Sequence, residues 1–205
     1  MYKTWFNVLS ALLIASASIP ALSQVVPSAQ QGGGLGVRVG AGYSNFATDW
    51  SGRLGGPTVW VDFDVPRVPP SLSGLQLEVQ GRDLNYNRTG GDSKLRYYSF
   101  AGGVNYAWRY DPAFHPYAKF MIGLGYMSWG PESLTTAPNY KHDSRIFYSP
   151  GGGVDVRAYK RLWVRGEYEY QWWADFLNGH ALTPHGFTVG AFYDFSRFAL
   201  TPYNP

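Results

Sequence analysis

The side chains of this chain best able to do chemistry are acids and bases set at even spacing along short alternating runs. The acids are Asp62, Asp64, Glu78, Asp155, Glu167, Glu169 and Asp194, and the bases are Arg38, Arg82, Lys119, Arg157 and Arg165. A spacing of two puts neighbours on one face of an extended strand. Such groups either neutralise one another or leave one carboxylate free for proton transfer. The near balance of signs points to pairing. Glu167 and Glu169 have the look of a carboxylate pair, yet any strand carrying two acids on one face would show it.

Three other patterns invite a chemical reading. His142-Asp143-Ser144 offers an imidazole two residues from a hydroxyl, the start of a nucleophile pair that would still need an orienting acid. His180 and His185 share a polar segment with Asp175, fewer converging ligands than a zinc site takes. The glycine runs 32–34 and 151–153 lack the Lys-Ser/Thr ending and the following helix of a phosphate loop. The first run reads as tether. The second reads as room for large rings, Trp172 and Trp173 among them, to lie on the backbone. No catalytic residue, metal or cofactor is expected from these.

What must position the charges is a set of strands. Eight runs alternate with period two. Their apolar parities are Leu35 to Tyr43, Val59 to Val65, Leu75 to Val79, Tyr98 to Trp108, Ala118 to Tyr126, Ile146 to Val156, Leu162 to Trp172, and Phe187 to Phe195. The charges fall on the opposite parity. A three-residue turn at 159–161 would set Asp155 opposite Arg165 and Gly153 opposite Glu167, a favourable cross-strand arrangement for the charged pair. Pro150 lacks an N–H and suits only a bulge or the end of strand six.

Connections alternate as well. Segments 47–56, 84–93, 129–143 and 174–185 are long and polar, whereas 66–74, 109–115 and 159–161 are shorter. On this threading, aromatic residues gather at two heights. Tyr43, Tyr98, Tyr126, Tyr148, Tyr170, Trp172 and Phe187 mark one rim; Phe63, Tyr106, Trp108, Tyr193 and Phe195 mark the other. Two belts of rings are what the two interfaces of a bilayer select. The fold class is therefore all-β: an eight-stranded antiparallel up-and-down transmembrane β-barrel. A secreted soluble barrel would carry its charges outside instead.

Composition agrees. The chain has 205 residues, 18% of them aromatic, with 25 glycines and no cysteine. Residues 1–23, with Lys3, an apolar core and a small-residue site at Ala21-Leu22-Ser23, have the layout of a cleavable signal peptide. Residues 24–33 read as a periplasmic tether, 34–196 as the barrel, and 197–205 as a short periplasmic tail. Nothing later reaches the ~20 apolar residues of a membrane helix. With no cysteine after the leader, no acylated anchor is expected. The net charge of +3 is scattered, which argues against nucleic acid as a partner.

The closing strand Gly186-Phe187-Thr188-Val189-Gly190-Ala191-Phe192-Tyr193-Asp194-Phe195, after eight amphipathic runs and a leader, resembles the small outer-membrane β-barrel domain family, the OmpA transmembrane domain and OmpX kind. The resemblance spans residues 34–196. It implies a cell outer membrane location with both termini periplasmic, contact with outer-membrane lipid and lipopolysaccharide, and a monomer. It also implies that the barrel-assembly machinery reads Tyr193-Asp194-Phe195, although this chain continues past that aromatic end.

On function, the expectation is a non-enzymatic outer-membrane barrel. Its interior would be plugged by a charge network of Arg38, Asp62, Glu78, Arg82, Lys119, Asp155, Arg157, Arg165, Glu167 and Glu169. Its external loops would be free for surface recognition or envelope integrity. The alternatives are a narrow small-solute pore, and a barrel enzyme acting on lipid A through the His-x-Ser pair that lipid A deacylases use.

Overall fold

The computed structural model describes residues 36–48, 52–66, 68–87, 94–128, 142–176 and 180–195. The leader, the tether and the tail lie outside these residues. Ten strand segments follow in chain order: β1 (Val37–Ala47), β2 (Arg53–Asp64), β3 (Leu75–Asn87), β4 (Lys94–Ala107), β5 (Phe114–Ser128), β6 (His142–Tyr159), β7 (Leu162–Tyr170), β8 (Trp172–Phe176), β9 (His180–Leu182) and β10 (His185–Asp194). One 3-10 turn, Pro70–Leu72, sits between β2 and β3.

These segments make eight staves. β7 and β8 share one register against β6, with Gly151 opposite Glu169 and Tyr148 opposite Trp172. β9 and β10 likewise continue one another against β8 and β7. Each stave pairs antiparallel with its chain neighbours, and β1 pairs with β10 to close the sheet. The result is a closed eight-stranded antiparallel barrel. Closure leaves no unpaired sheet edge, which is what allows a sheet to sit in lipid. Among the described residues no helix is long and apolar enough to cross a membrane; this chain crosses with strands.

The pairing also fixes the tilt. A circuit leaving β1 at Val37 passes Phe63, Leu77, Val104, Phe120, Pro150, Tyr170 and His185, and re-enters β1 at Ala47, ten residues along. With ~3.3 Å per residue and ~4.8 Å between strands, that stagger inclines the staves by roughly 40°.

The parities fall as the alternation predicts. Val39, Val59, Leu77, Phe100, Ile122, Leu124, Ile146, Val164 and Val189 face outward and exposed, whereas the charged parity is buried in the lumen. Every expected belt residue is on the outward parity. Tyr98 and Tyr126 rings meet at 6.3 Å, Tyr148 and Trp172 at 6.0 Å, Tyr106 and Trp108 at 5.3 Å, and Tyr193 and Phe195 at 4.7 Å.

Three local readings are corrected. The staves run further than the alternation suggests at the end away from the described termini: β3 reaches Asn87, β8 Phe176, and β9 starts at His180. Much of what reads as long loop is projecting hairpin. The cause is that the inward parity there turns apolar (Phe46, Leu54, Leu84, Phe147, Trp173, Leu182), so the apolar-out alternation inverts or is lost while pairing continues. Pro150 sits within β6 opposite Phe120, in unbroken register along β5. The irregularity lies instead between Arg157 and Tyr159, beside a two-residue turn of Lys160 and Arg161. Finally, Gly151–Gly153 do not carry the tryptophans. Glu169 packs on Gly151, and the Tyr117 hydroxyl and the Gly166 carbonyl crowd Gly153.

Candidate functional site: the filled lumen

The lumen has two storeys, and the alternation explains both. At the end where β1–β2, β3–β4, β5–β6 and β8–β9 connect (the loop end), Phe46, Leu54, Leu84, Leu95, Tyr97, Ala101, Met121, Met127, Phe147, Trp173 and Leu182 form one buried apolar cluster. Trp173 is its centre. Its ring lies against Phe147 at 5.6 Å and Tyr97 at 5.4 Å, and it occupies the space that a Cβ on Gly125 would need. The polar atoms within this storey are partnered through Gln171, whose Oε1 accepts from Tyr97 Oη at 2.7 Å and Trp173 Nε1 at 3.2 Å.

Below it lies the charged storey. Lys119 Nζ stands 2.8 Å from Glu78 Oε1, 2.8 Å from Glu167 Oε2 and 2.5 Å from Glu169 Oε1. Arg82 Nη1 donates to Glu169 Oε2 at 2.9 Å. Arg165 reaches Asp155 Oδ1 from Nε at 2.8 Å, Asp62 Oδ2 from Nη2 at 2.9 Å and Glu78 Oε2 from Nη1 at 3.4 Å. Tyr117 Oη donates to Glu167 Oε2 at 2.6 Å, and Asn105 Nδ2 to Glu78 Oε2 at 3.2 Å. All of these side chains are almost wholly buried. Taking ions out of water costs several kcal/mol each, so only shared, well-directed pairing makes such a storey tolerable.

Ring stacking ties the layers together. Arg82 lies over Phe46 at 4.3 Å, joining the charged storey to the apolar one above. Arg165 is bracketed by Tyr117, Phe192 and Trp60 at 4.7, 5.1 and 5.2 Å. Phe192, the residue that breaks the alternation of the last strand, stacks on Trp163 at 6.0 Å with planes 5° apart, inside the barrel.

At the opposite mouth (the turn end), Asp64 accepts from Arg38 at 3.1 Å, Arg109 at 2.7 Å and Gln76 at 2.8 Å, and Arg38 also faces Asp194 at 3.6 Å. Of the ten residues read as a lumen network, the structure joins Asp62, Glu78, Arg82, Lys119, Asp155, Arg165, Glu167 and Glu169 in one connected group. Arg38 belongs to the mouth. Arg157 lies over the Trp163 ring at 4.8 Å, and its Nε has no hydrogen-bond partner. Tyr97, Tyr117, Asn105, Gln171 and the apolar storey were not singled out from sequence. Their inward parity was the available signal.

The remaining candidates separate. His142 and Ser144 both face outward at the loop end, where His142 stacks on Tyr126 at 5.7 Å. Asp143, between them, is buried on the other face and pairs with Arg145 at 3.3 Å, so it is not behind the imidazole. The His185 Nδ1 atom is 3.2 Å from the Thr183 carbonyl, and its ring stacks on Tyr170 at 6.2 Å. The side chains of Asp175 and His180 lie outside the described residues. Among the described residues no cluster of three or more His, Cys, Asp or Glu is arranged to hold a metal.

An apolar outer wall between two aromatic belts, closed around a filled core, defines a transmembrane β-barrel. The family model for the outer membrane protein beta-barrel domain matches residues 9–195, and the chain belongs to that family. This places it in the bacterial outer membrane. No curated protein matches the chain significantly. Among solved structures, it is similar to Neisserial surface protein A (TM-score 0.57, 13% identity, 78% of this chain and 97% of that one). It is also similar to Ail, the attachment invasion locus protein of Yersinia pestis (0.55, 14%, 78% and 99%). A major outer membrane protein of Thermus thermophilus is a third (0.53, 13%, 78% and 99%). At these identities the likeness concerns the fold.

Proposed function

We propose that this protein is a non-enzymatic outer-membrane scaffold, plugged by its own side chains, whose loop end is available for surface recognition or envelope integrity. The observation that carries this reading is the apolar storey around Trp173, stacked on a charged storey whose groups are engaged with one another. A pore for small solutes would need a continuous polar path, and the inward glycines do not supply one: Gly40 and Gly125 hold Trp60 and Trp173 instead.

The termini and the shorter connections share one end, which supports a periplasmic position for both termini after leader cleavage. Tyr193-Asp194-Phe195 would then be presented to the assembly machinery, and the loop end to lipopolysaccharide and the surroundings. That end carries the exposed Arg53 and Arg96 and the half-buried Arg145. Ail has been crystallised with the heparin analogue sucrose octasulfate, and a polyanionic glycan is one ligand class that such a rim would suit. No residue arrangement described above favours catalysis.

The deciding experiment is conductance of the refolded mature protein in planar bilayers, after boiled and unboiled gel mobilities establish a closed barrel. Silence is the expected result. Steady, reproducible channels would replace the plugged scaffold with a pore.

A further inference from the structure

The β6–β7 turn stands apart from the rest of the turn end. Lys160 is the one non-glycine residue with a left-handed backbone among those described, at φ 40°. Asparagine or glycine would normally hold such a position. The twist directs Lys160 Nζ over the exposed Tyr159 ring, 5.1 Å from its centre. Neither Lys160 nor Arg157 has a carboxylate partner among the described residues, and Arg157 Nε is a buried donor with no acceptor.

Two cavities flank this turn. The outward one, about 240 Å³, is lined by Tyr159, Lys160, Arg161, Leu162 and Tyr193. The second, about 370 Å³, lies on the other side and is lined by Arg157, Lys160, Arg161, Trp163 and the carboxylate of Asp194. The outward cavity is amphipathic in a definite order: cationic tip, aromatic rings, then the apolar wall of Leu162 and Val164 that continues into the membrane. In the β4–β5 connection at the same end, Arg109 is committed to Asp64.

We infer that the β6–β7 turn is a binding site for an anionic phospholipid of the adjoining leaflet, with the headgroup phosphate at Lys160 and Arg161 and the acyl chains along Leu162 and Tyr193. The ligand is a lipid rather than a soluble phosphate because the cationic and apolar linings meet within one cavity.

The test is native mass spectrometry of the intact mature barrel released from nanodiscs of phosphatidylethanolamine and phosphatidylglycerol with matched acyl chains. Wild type is expected to retain phosphatidylglycerol in excess of its share. Lys160→Gln and Arg161→Gln should each reduce that excess by about fivefold, the effect of one basic residue at an anionic surface. Tyr110→Gln, in the β4–β5 turn, should leave it unchanged. Unaltered heat-modifiable gel mobility would show that each variant is folded. Equal retention of the two lipids, or full retention by the double variant, would overturn the proposal. Displacement by millimolar glycerol phosphate would overturn it too, in favour of a soluble anion.

Discussion

Arg165 Nη2 stands 2.9 Å from Asp62 Oδ2, across the lumen and 103 positions along the chain, on a stave that shares no backbone pairing with that of Asp62. The same guanidinium holds Asp155 on the neighbouring stave. It is therefore the cross-member that braces one side of the cylinder against another. Replacing it with methionine leaves two buried carboxylates without their cation, and breaking a buried pair in this way costs about 3–5 kcal/mol. Urea unfolding of the barrel in vesicles, followed by tryptophan fluorescence, should show a loss of that order. A change below about 1 kcal/mol would mean that water reaches the storey and solvates the acids.

The apolar storey makes a separate prediction. Trp173→Ala removes the ring that meets Phe147, Tyr97 and Gly125, at a cost of about 3–5 kcal/mol. It should also be the single change most apt to produce conductance, whereas Tyr97→Phe keeps the ring and gives up hydroxyl hydrogen bonds such as that to Gln171, about 1 kcal/mol each. Comparing bilayer recordings of the two variants separates loss of the plug from loss of a hydrogen bond.

Glycine tolerance should follow the lumen geometry. Gly125→Val pushes against Trp173, an overpacking worth about 1–3 kcal/mol. At Gly81 the nearest atom to an added Cβ is Val59 Cγ2 at 3.7 Å, ordinary contact, and Gly81→Ala should fold as wild type. Unboiled gel mobility and denaturant midpoints report both.

The outward face answers to depth. Ile122→Arg places a charge on the apolar wall between the belts and should cost about 2–4 kcal/mol. Tyr110, 91% exposed in the β4–β5 turn, lies outside that wall, and Tyr110→Arg should change stability by no more than about 0.5 kcal/mol. Equal effects in vesicle unfolding would place the apolar band elsewhere.

Ser144→Ala should leave both folding and surface display unaltered, because Ser144 faces outward and Asp143 does not support His142. Loss of a lipid A-directed activity in a variant that still folds would establish the enzymatic alternative.

The architecture was legible because a barrel strand repeats its instruction every second residue. Val59, Val61 and Phe63 against Thr58, Trp60 and Asp62 already state which face meets lipid. The charged storey was legible for the same reason: Arg82, Lys119, Glu167 and Glu169 break an otherwise small or neutral parity. The apolar storey was not. Where Phe46, Leu54 and Leu84 turn inward, their outward neighbours include Asn45, Arg53, Asp83 and Asn85, so the sign of the contrast is inverted, and around Trp173 both faces are apolar; period two alone carries no sign of which side is the lumen. Partner choice was also beyond the pattern. Only strand register and tilt decide that Lys119 meets Glu78, Glu167 and Glu169 together while Arg157 meets a ring. The three-residue turn foreseen at 159–161 is two residues long, and the bulge beside it restores Asp155 to its place opposite Arg165.

The meeting of the first and last staves has a further meaning. There Ser44 Oγ lies 2.8 Å from Thr188 Oγ1 and 2.5 Å from Thr58 Oγ1, and Arg38 faces Asp194. A slip of two residues along this join would preserve every inward and outward orientation and most backbone bonds, so neither lipid nor the ladder would reject it. It would, however, part Ser44 from Thr188 and Arg38 from Asp194, and it would alter the stagger that determines how wide the cylinder is. These few polar side chains thus act as a key cut for one phase of closure. By admitting only that phase, they set the bore into which Trp173 and Arg165 must fit.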